Sequence, residues 1–140
     1  MQTHHQIQYS TTIKAPVEKV WQALTDPKLV KQYFFGTDLV TDWKVGSPLY
    51  FRGEWESKAY EDKGIVKEFT PNQSLSYSYL SSWSGLPDIP ENYLLVSYKV
   101  EQVPEGTRLL ITQSNYDEER AKHSESNWAA VIDGMKKLIE

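Results

Sequence analysis

From Ser124 to Glu140 the apolar residues recur with the period of a helix. Trp128, Val131, Ile132, Met135, Leu138 and Ile139 fall at offsets 0, 3, 4, 7, 10 and 11, which places them on one face. Glu125, Asn127, Asp133, Lys136, Lys137 and Glu140 fill the opposite side. A helix of this length spans roughly 25 Å at about 1.5 Å per residue. It needs an apolar surface of equal extent to lie on, and the preceding chain can supply one only as strands.

Those strands show as alternation. Gln6 to Lys14 sets Ile7, Tyr9, Thr11 and Ile13 against polar neighbours, the pattern of a half-buried strand. The period then changes. Pro16 opens a helical stretch whose stripe is Val17, Val20, Trp21 and Leu24, and Asp26-Pro27 caps a second short helix through about Gln32. Strands are expected at Thr37–Asp42, Leu49–Trp55, Tyr60–Phe69, Ser74–Leu80, Tyr93–Glu101 and Thr107–Ser114. Gly64 is expected to mark a bulge or bend. Ser81 to Asn92, with Gly85, Pro87 and Pro90, is the longest loop and is expected to fold back over the sheet as a lid. The tally predicts an α+β fold over residues 1–140 as one domain. Six to seven antiparallel strands curve around a long C-terminal helix, with two short helices after the first strand.

Composition narrows the chemistry. The 140 residues contain no cysteine, which removes disulfide scaffolds, thiol catalysis and Cys-based zinc sites. A net charge of −4, with basic residues scattered singly, argues against a nucleic-acid footprint. No apolar run reaches membrane-spanning length, and Met1 to His5 shows no signal-peptide pattern, so a soluble, cytoplasmic protein is expected. The histidines are His4, His5 and His123, without ligand spacing, so neither a metal nor another cofactor is expected.

Nucleophilic catalysis finds no support either, because no Gly-x-Ser-x-Gly occurs and the histidines sit at the margins. General acid–base work would draw on Glu54, Asp62 and Glu68, carboxylates within strand-like stretches, and each reads as solvent-facing. Five Trp, nine Tyr and four Phe are the clearest functional signal. A ligand cavity is expected to draw on Tyr33, Phe35, Trp55, Tyr60, Tyr77, Tyr79, Trp83, Gln113, Trp128 and Met135. These side chains suit a pocket for an amphipathic molecule, although the same types also build packed cores.

Ile13-Lys14-Ala15-Pro16-Val17-Glu18-Lys19-Val20-Trp21-Gln22-Ala23-Leu24-Thr25-Asp26-Pro27 resembles the I-x-A-P-x-x-x-V-W-x-A-L-T-D-P opening of the START-like (SRPBCC) superfamily. The group it is most similar to is the homologues of the heat-shock chaperone ATPase activator. Gly64-x-Val66-x-Glu68, Leu75-Ser76-Tyr77, Gly106-Thr107-Arg108-Leu109 and Asn127-Trp128 follow in family order. Four positions depart from the pattern: Ser47, Gln113 and Asn127 stand where a glycine, a histidine and a glycine are usual, and Tyr33 where a tryptophan is common. The resemblance implies a helix-grip fold with a cavity, and members that bind lipids, aromatic compounds or other proteins, or act as cyclases.

The leading expectation is therefore a non-enzymatic binding domain for a hydrophobic or aromatic small molecule. The alternatives are a protein-interaction module, with a chaperone or a second copy of the chain as partner, and a cyclase or lyase using one buried carboxylate. A chaperone activator would be expected to need a further region for contact. Leu109 and Ile111 share a face with Gln113; the resemblance places the face of Leu109 toward the helix, which implies that Gln113 points inward and bonds to Tyr77, Tyr98, water or a ligand.

Overall fold

The computed structural model describes residues 6–34, 36–55, 57–81, 86–115 and 118–140; the side chain of Trp55 lies outside that set. The elements in chain order are β1 (Ile7–Ile13), α1 (Val17–Thr25), α2 (Pro27–Tyr33), β2 (Asp38–Val40), β3 (Pro48–Trp55) and β4 (Lys58–Thr70), then β5 (Ser74–Tyr79), β6 (Leu94–Val103), β7 (Gly106–Gln113) and α3 (Glu118–Ile139). The strands form one antiparallel sheet in the order β1-β7-β6-β5-β4-β3-β2. Consecutive hairpins build β2 to β7, and β1 joins the far edge against β7, pairing Ile7 with Gln113 and Ile13 with Thr107. This is the helix-grip α+β fold.

α1 and α2 form where the sequence changes period. Val20, Trp21, Ala23 and Leu24 are the buried side of α1. The Asp26 carboxylate accepts from the Lys28 backbone N–H at 2.9 Å, and Pro27 takes the first turn of α2, so a donor left over at the helix start is satisfied.

α3 packs on β1 and touches α1 and α2. Val131, Ile132, Met135 and Ile139 are buried against the sheet's inner face, where Ile13, Leu49, Val66, Leu75, Leu109 and Ile111 meet them in one core. Each such side chain contributes about 1.5–3 kcal/mol of apolar burial. Leu138 leaves the stripe and is 39% exposed. The helix also begins at Glu118, six residues before Ser124, where the sequence pattern places its start. Its first turns (Glu118 to His123) bury only Ala121, so periodicity has nothing to register there.

Two local expectations come out differently. Gly64 is not the bulge: β3 and β4 pair in continuous register through it, opposite Leu49, and the shift between β4 and β5 falls between Val66 and Glu68. The described part of the long loop, 86–92, does not reach over the inner face. It is tied to the outer one, where Asp88 pairs with Lys63, accepts from the Tyr93 hydroxyl at 2.6 Å, and neighbours a 3₁₀ turn at Pro90–Asn92. Lys63 alternates with Asp62 and Gly64, whose positions face inward, so it projects outward.

Candidate functional site

A concavity of about 650 Å³ lies between the inner face of the sheet and the N-terminal half of α3. Its walls follow from the two periods. On the sheet, residues two apart share a face, which brings Tyr60 and Asp62 of β4, Tyr77 and Tyr79 of β5, and Leu94 and Val96 of β6 to the same side. β7 adds Gln113, and Asn115 follows two residues later. The register sets Val66, Tyr77, Val96 and Gln113 in one row across the strands. On α3, Arg120, Ser124, Trp128 and Val131 line the opposite wall at helical spacing, with His123 and Asn127 beside them. Phe34 and Thr37, just beyond α2, close one side together with Phe51 of β3.

The aromatic rings brace one another. Phe34 stacks on Phe51 with centroids 5.7 Å apart and meets Trp128 edge-on at 6.0 Å. Phe51 also contacts Tyr77 at 5.8 Å and Tyr79 at 6.0 Å, and Tyr98 meets Trp128 edge-on at 5.7 Å. Tilted and edge-to-face pairs at such separations are the favoured arrangements for aromatic quadrupoles.

Polar tips are held in pairs. Tyr77 and Tyr98 share a hydroxyl–hydroxyl bond of 2.9 Å, and Thr37 and Tyr60 one of 2.5 Å. The Tyr79 hydroxyl donates to Asp62 Oδ2 at 2.7 Å. Trp128 Nε1 donates to Gln113 Oε1 at 2.7 Å. Burial pushes the hydroxyls of Tyr77, Tyr79 and Tyr98 well above the ordinary tyrosine range, because the phenolate would lose its hydration; the Asp62 charge adds to this at Tyr79. At neutral pH these groups are uncharged hydrogen-bonding partners. Asp62 is the carboxylate among the described residues of this wall.

Of the ten residues expected at a cavity, Tyr60, Tyr77, Tyr79, Gln113 and Trp128 line this one. Tyr33 and Met135 do not. Tyr33 turns its hydroxyl away to donate to the Ala23 carbonyl at 2.8 Å, and Met135 is fully buried in the core beneath α3. Phe35, Trp83 and the side chain of Trp55 lie outside the described residues, as do His4 and His5. Gln113 points inward as the resemblance implies, but its partner is Trp128, while Tyr77 and Tyr98 bond to each other.

Asp62 corrects the expectation that the strand carboxylates face solvent, for it lines the concavity; Glu54 and Glu68 are exposed. Thr37 and Asn115 are also buried on this wall and carried no sequence signal beyond strand parity. Among the described residues no cluster of His, Asp and Glu could hold a metal ion, and no helix is long and apolar enough to cross a membrane.

Comparison with known proteins agrees with this architecture. Residues 14–140 match the family model described as "Activator of Hsp90 ATPase homolog 1-like protein". No curated protein matches the chain. The solution structure of ChR145 from Cytophaga hutchinsonii is 44% identical, with 99% of this chain and 95% of that one covered and a TM-score of 0.84. The Aha1 dimer from Colwellia psychrerythraea is 24% identical over 96% of both chains, with a TM-score of 0.74. CalU16 from Micromonospora echinospora is 21% identical over 93% of this chain and 73% of that one, with a TM-score of 0.75. At those identities the last two speak to the fold alone. Opening motif, strand order, gripping helix and family match converge: the chain belongs to the Activator of Hsp90 ATPase homolog 1-like family of the START-like (SRPBCC) superfamily.

Proposed function

We propose that this protein binds a hydrophobic or aromatic small molecule in the concavity between the sheet and α3, acting as one domain and without catalysing a reaction. The observation that carries the reading is the wall itself. The concavity of about 650 Å³ is bordered by Phe34, Phe51, Tyr77, Tyr79 and Trp128, within the roughly 300–1,000 Å³ of small-molecule pockets. A wall of large rings interrupted by a few fixed polar groups suits a flat apolar body with polar substituents. Polar groups already paired with one another hold their positions before a ligand arrives, which lowers the ordering cost of binding.

Native mass spectrometry of protein purified from its own host tests the proposal. The expected spectrum carries an added small-molecule mass that disappears on denaturation. Bare protein mass in every charge state counts against it. Replacing Phe51 with Asp should abolish any retained mass, provided circular dichroism shows the sheet intact.

A further inference from the structure

The indole of Trp128 has one polar atom, and that atom can only donate. It meets the Gln113 side chain at 2.7 Å, so the atom it meets is the amide oxygen. The amide nitrogen is thereby turned the other way. Gln113 is 8% exposed and lines the concavity. Its Nε2 has no acceptor among the described residues, whereas no fully buried side-chain nitrogen or oxygen there lacks a partner. The nitrogen therefore reaches accessible space, and the space its residue lines is the concavity. Two N–H donors, held in a fixed sense by Trp128, face whatever occupies it.

What these donors can recognise follows from their surroundings. Gln113 is neutral, so a neutral acceptor matches it without leaving an uncompensated ion in a poorly hydrated place. The nearby hydroxyls of Tyr77 and Tyr98 share one bond, which engages one of their two protons, whereas the Gln113 amide keeps both of its N–H groups. Val96 and Tyr77 continue the row beyond Gln113, and Trp128 stands over it. An sp² oxygen at the edge of a planar ring system meets both demands: it accepts without needing to donate, and its rings lie against Tyr77 and Trp128.

We propose that Gln113 anchors the ligand by donating from Nε2 to a carbonyl oxygen of a planar aromatic compound, with Trp128 as the residue that fixes the sense of the amide. This rests on the reading of the concavity as a small-molecule site.

The test compares 9-fluorenone with fluorene, two flat probes of nearly equal shape that differ by a carbonyl in place of a methylene. Tryptophan-fluorescence titrations should give the ketone roughly threefold to tenfold tighter binding, the value of one hydrogen bond gained over water. In Gln113→Leu, which also takes the acceptor from Trp128 Nε1, the ketone should lose its advantage, so that the affinities of the two probes converge. A second readout needs no variant: the side-chain amide resonances of Gln113 in nitrogen–proton spectra should move with 9-fluorenone and stay with fluorene. Equal affinities with an unmoved Gln113 amide would overturn the anchor and leave the binding reading standing, with water as the amide's ordinary partner. Failure of both probes to bind at millimolar concentration would overturn both.

Discussion

Gly64 and Ser78 approach so closely that a Cβ on Gly64 would stand 1.6 Å from the Ser78 carbonyl oxygen. Here β4 and β5 are held by the Ile65 N–H, which donates to Ser78 Oγ at 3.0 Å, and by the bridge between Lys63 and Leu80. Glycine is required by the approach of another backbone and not by an unusual φ. Gly64→Ala should therefore force the strands apart and cost roughly 3 kcal/mol or more, since backbone cannot yield as a side-chain tip can. Gly134 in α3 is the contrast: an added Cβ meets only ordinary contacts, 3.6 Å from Tyr33 Cβ. Gly134→Ala should raise stability by about 0.5–1 kcal/mol through helix propensity. Urea midpoints of the two variants check the pair, and a shift of the same sign in both would refute the assignment.

The sequence marked Gly64 as special but could not say why, because a bulge and a close approach ask for the same residue. That ambiguity runs through what was legible. Strand alternation and the helix stripe identified the inner face, and with it Tyr60, Tyr77, Tyr79, Gln113 and Trp128 on the concavity. Tyr33 has the same chemistry, yet its hydroxyl found the Ala23 carbonyl, a choice made by how α1 and α2 pack. Asp62 has the parity of Tyr60, but a carboxylate is expected in water until a buried partner such as Tyr79 is in view. The α3 wall from Arg120 to Asn127 was unreadable for a simpler reason. A helix segment that borders a cavity has no apolar stripe to announce it.

Tyr77 and Tyr98 make the fold sensitive to alkali. Burial raises both hydroxyls above the ordinary tyrosine range, so they stay protonated in the folded chain. In the unfolded chain they ionise near pH 10. A raised folded value means that the associated stability is complete below about pH 10 and is lost as pH rises beyond it. Each such hydroxyl adds up to about 1.4 kcal/mol of loss per pH unit. Tyr98→Phe should leave Tyr77 without its 2.9 Å partner and cost about 1–2 kcal/mol at pH 7. The same variant should lose stability less steeply between pH 10 and 11.5. Urea melts across that range decide it; parallel slopes for the two proteins would mean that Tyr98 ionises as freely folded as unfolded.

The 86–92 segment should respond to acid instead. Its anchor is Asp88, whose carboxylate pairs with Lys63 and accepts from the Tyr93 hydroxyl at 2.6 Å. The Lys63 ammonium, with the Tyr93 hydroxyl behind it, holds the Asp88 carboxyl below the usual carboxylate range, and Asp88 in turn raises Lys63. A depressed carboxyl contributes its anchoring above the ordinary value and loses it as pH falls through the lowered one. Hydrogen exchange of the segment, corrected for intrinsic rates, should be constant from pH 5 to 8 and accelerate below about pH 4, where carboxylates protonate. Asp88→Asn should speed it from about pH 5 to 8 and remove the acid dependence, while the global melting temperature stays within the small range of an exposed pair. Lys63→Met should do the same from the other side. If exchange in 86–92 instead slowed only when a molecule such as 9-fluorenone filled the concavity, the segment would be closing over the inner face, and its attachment to Lys63 would not be what orders it.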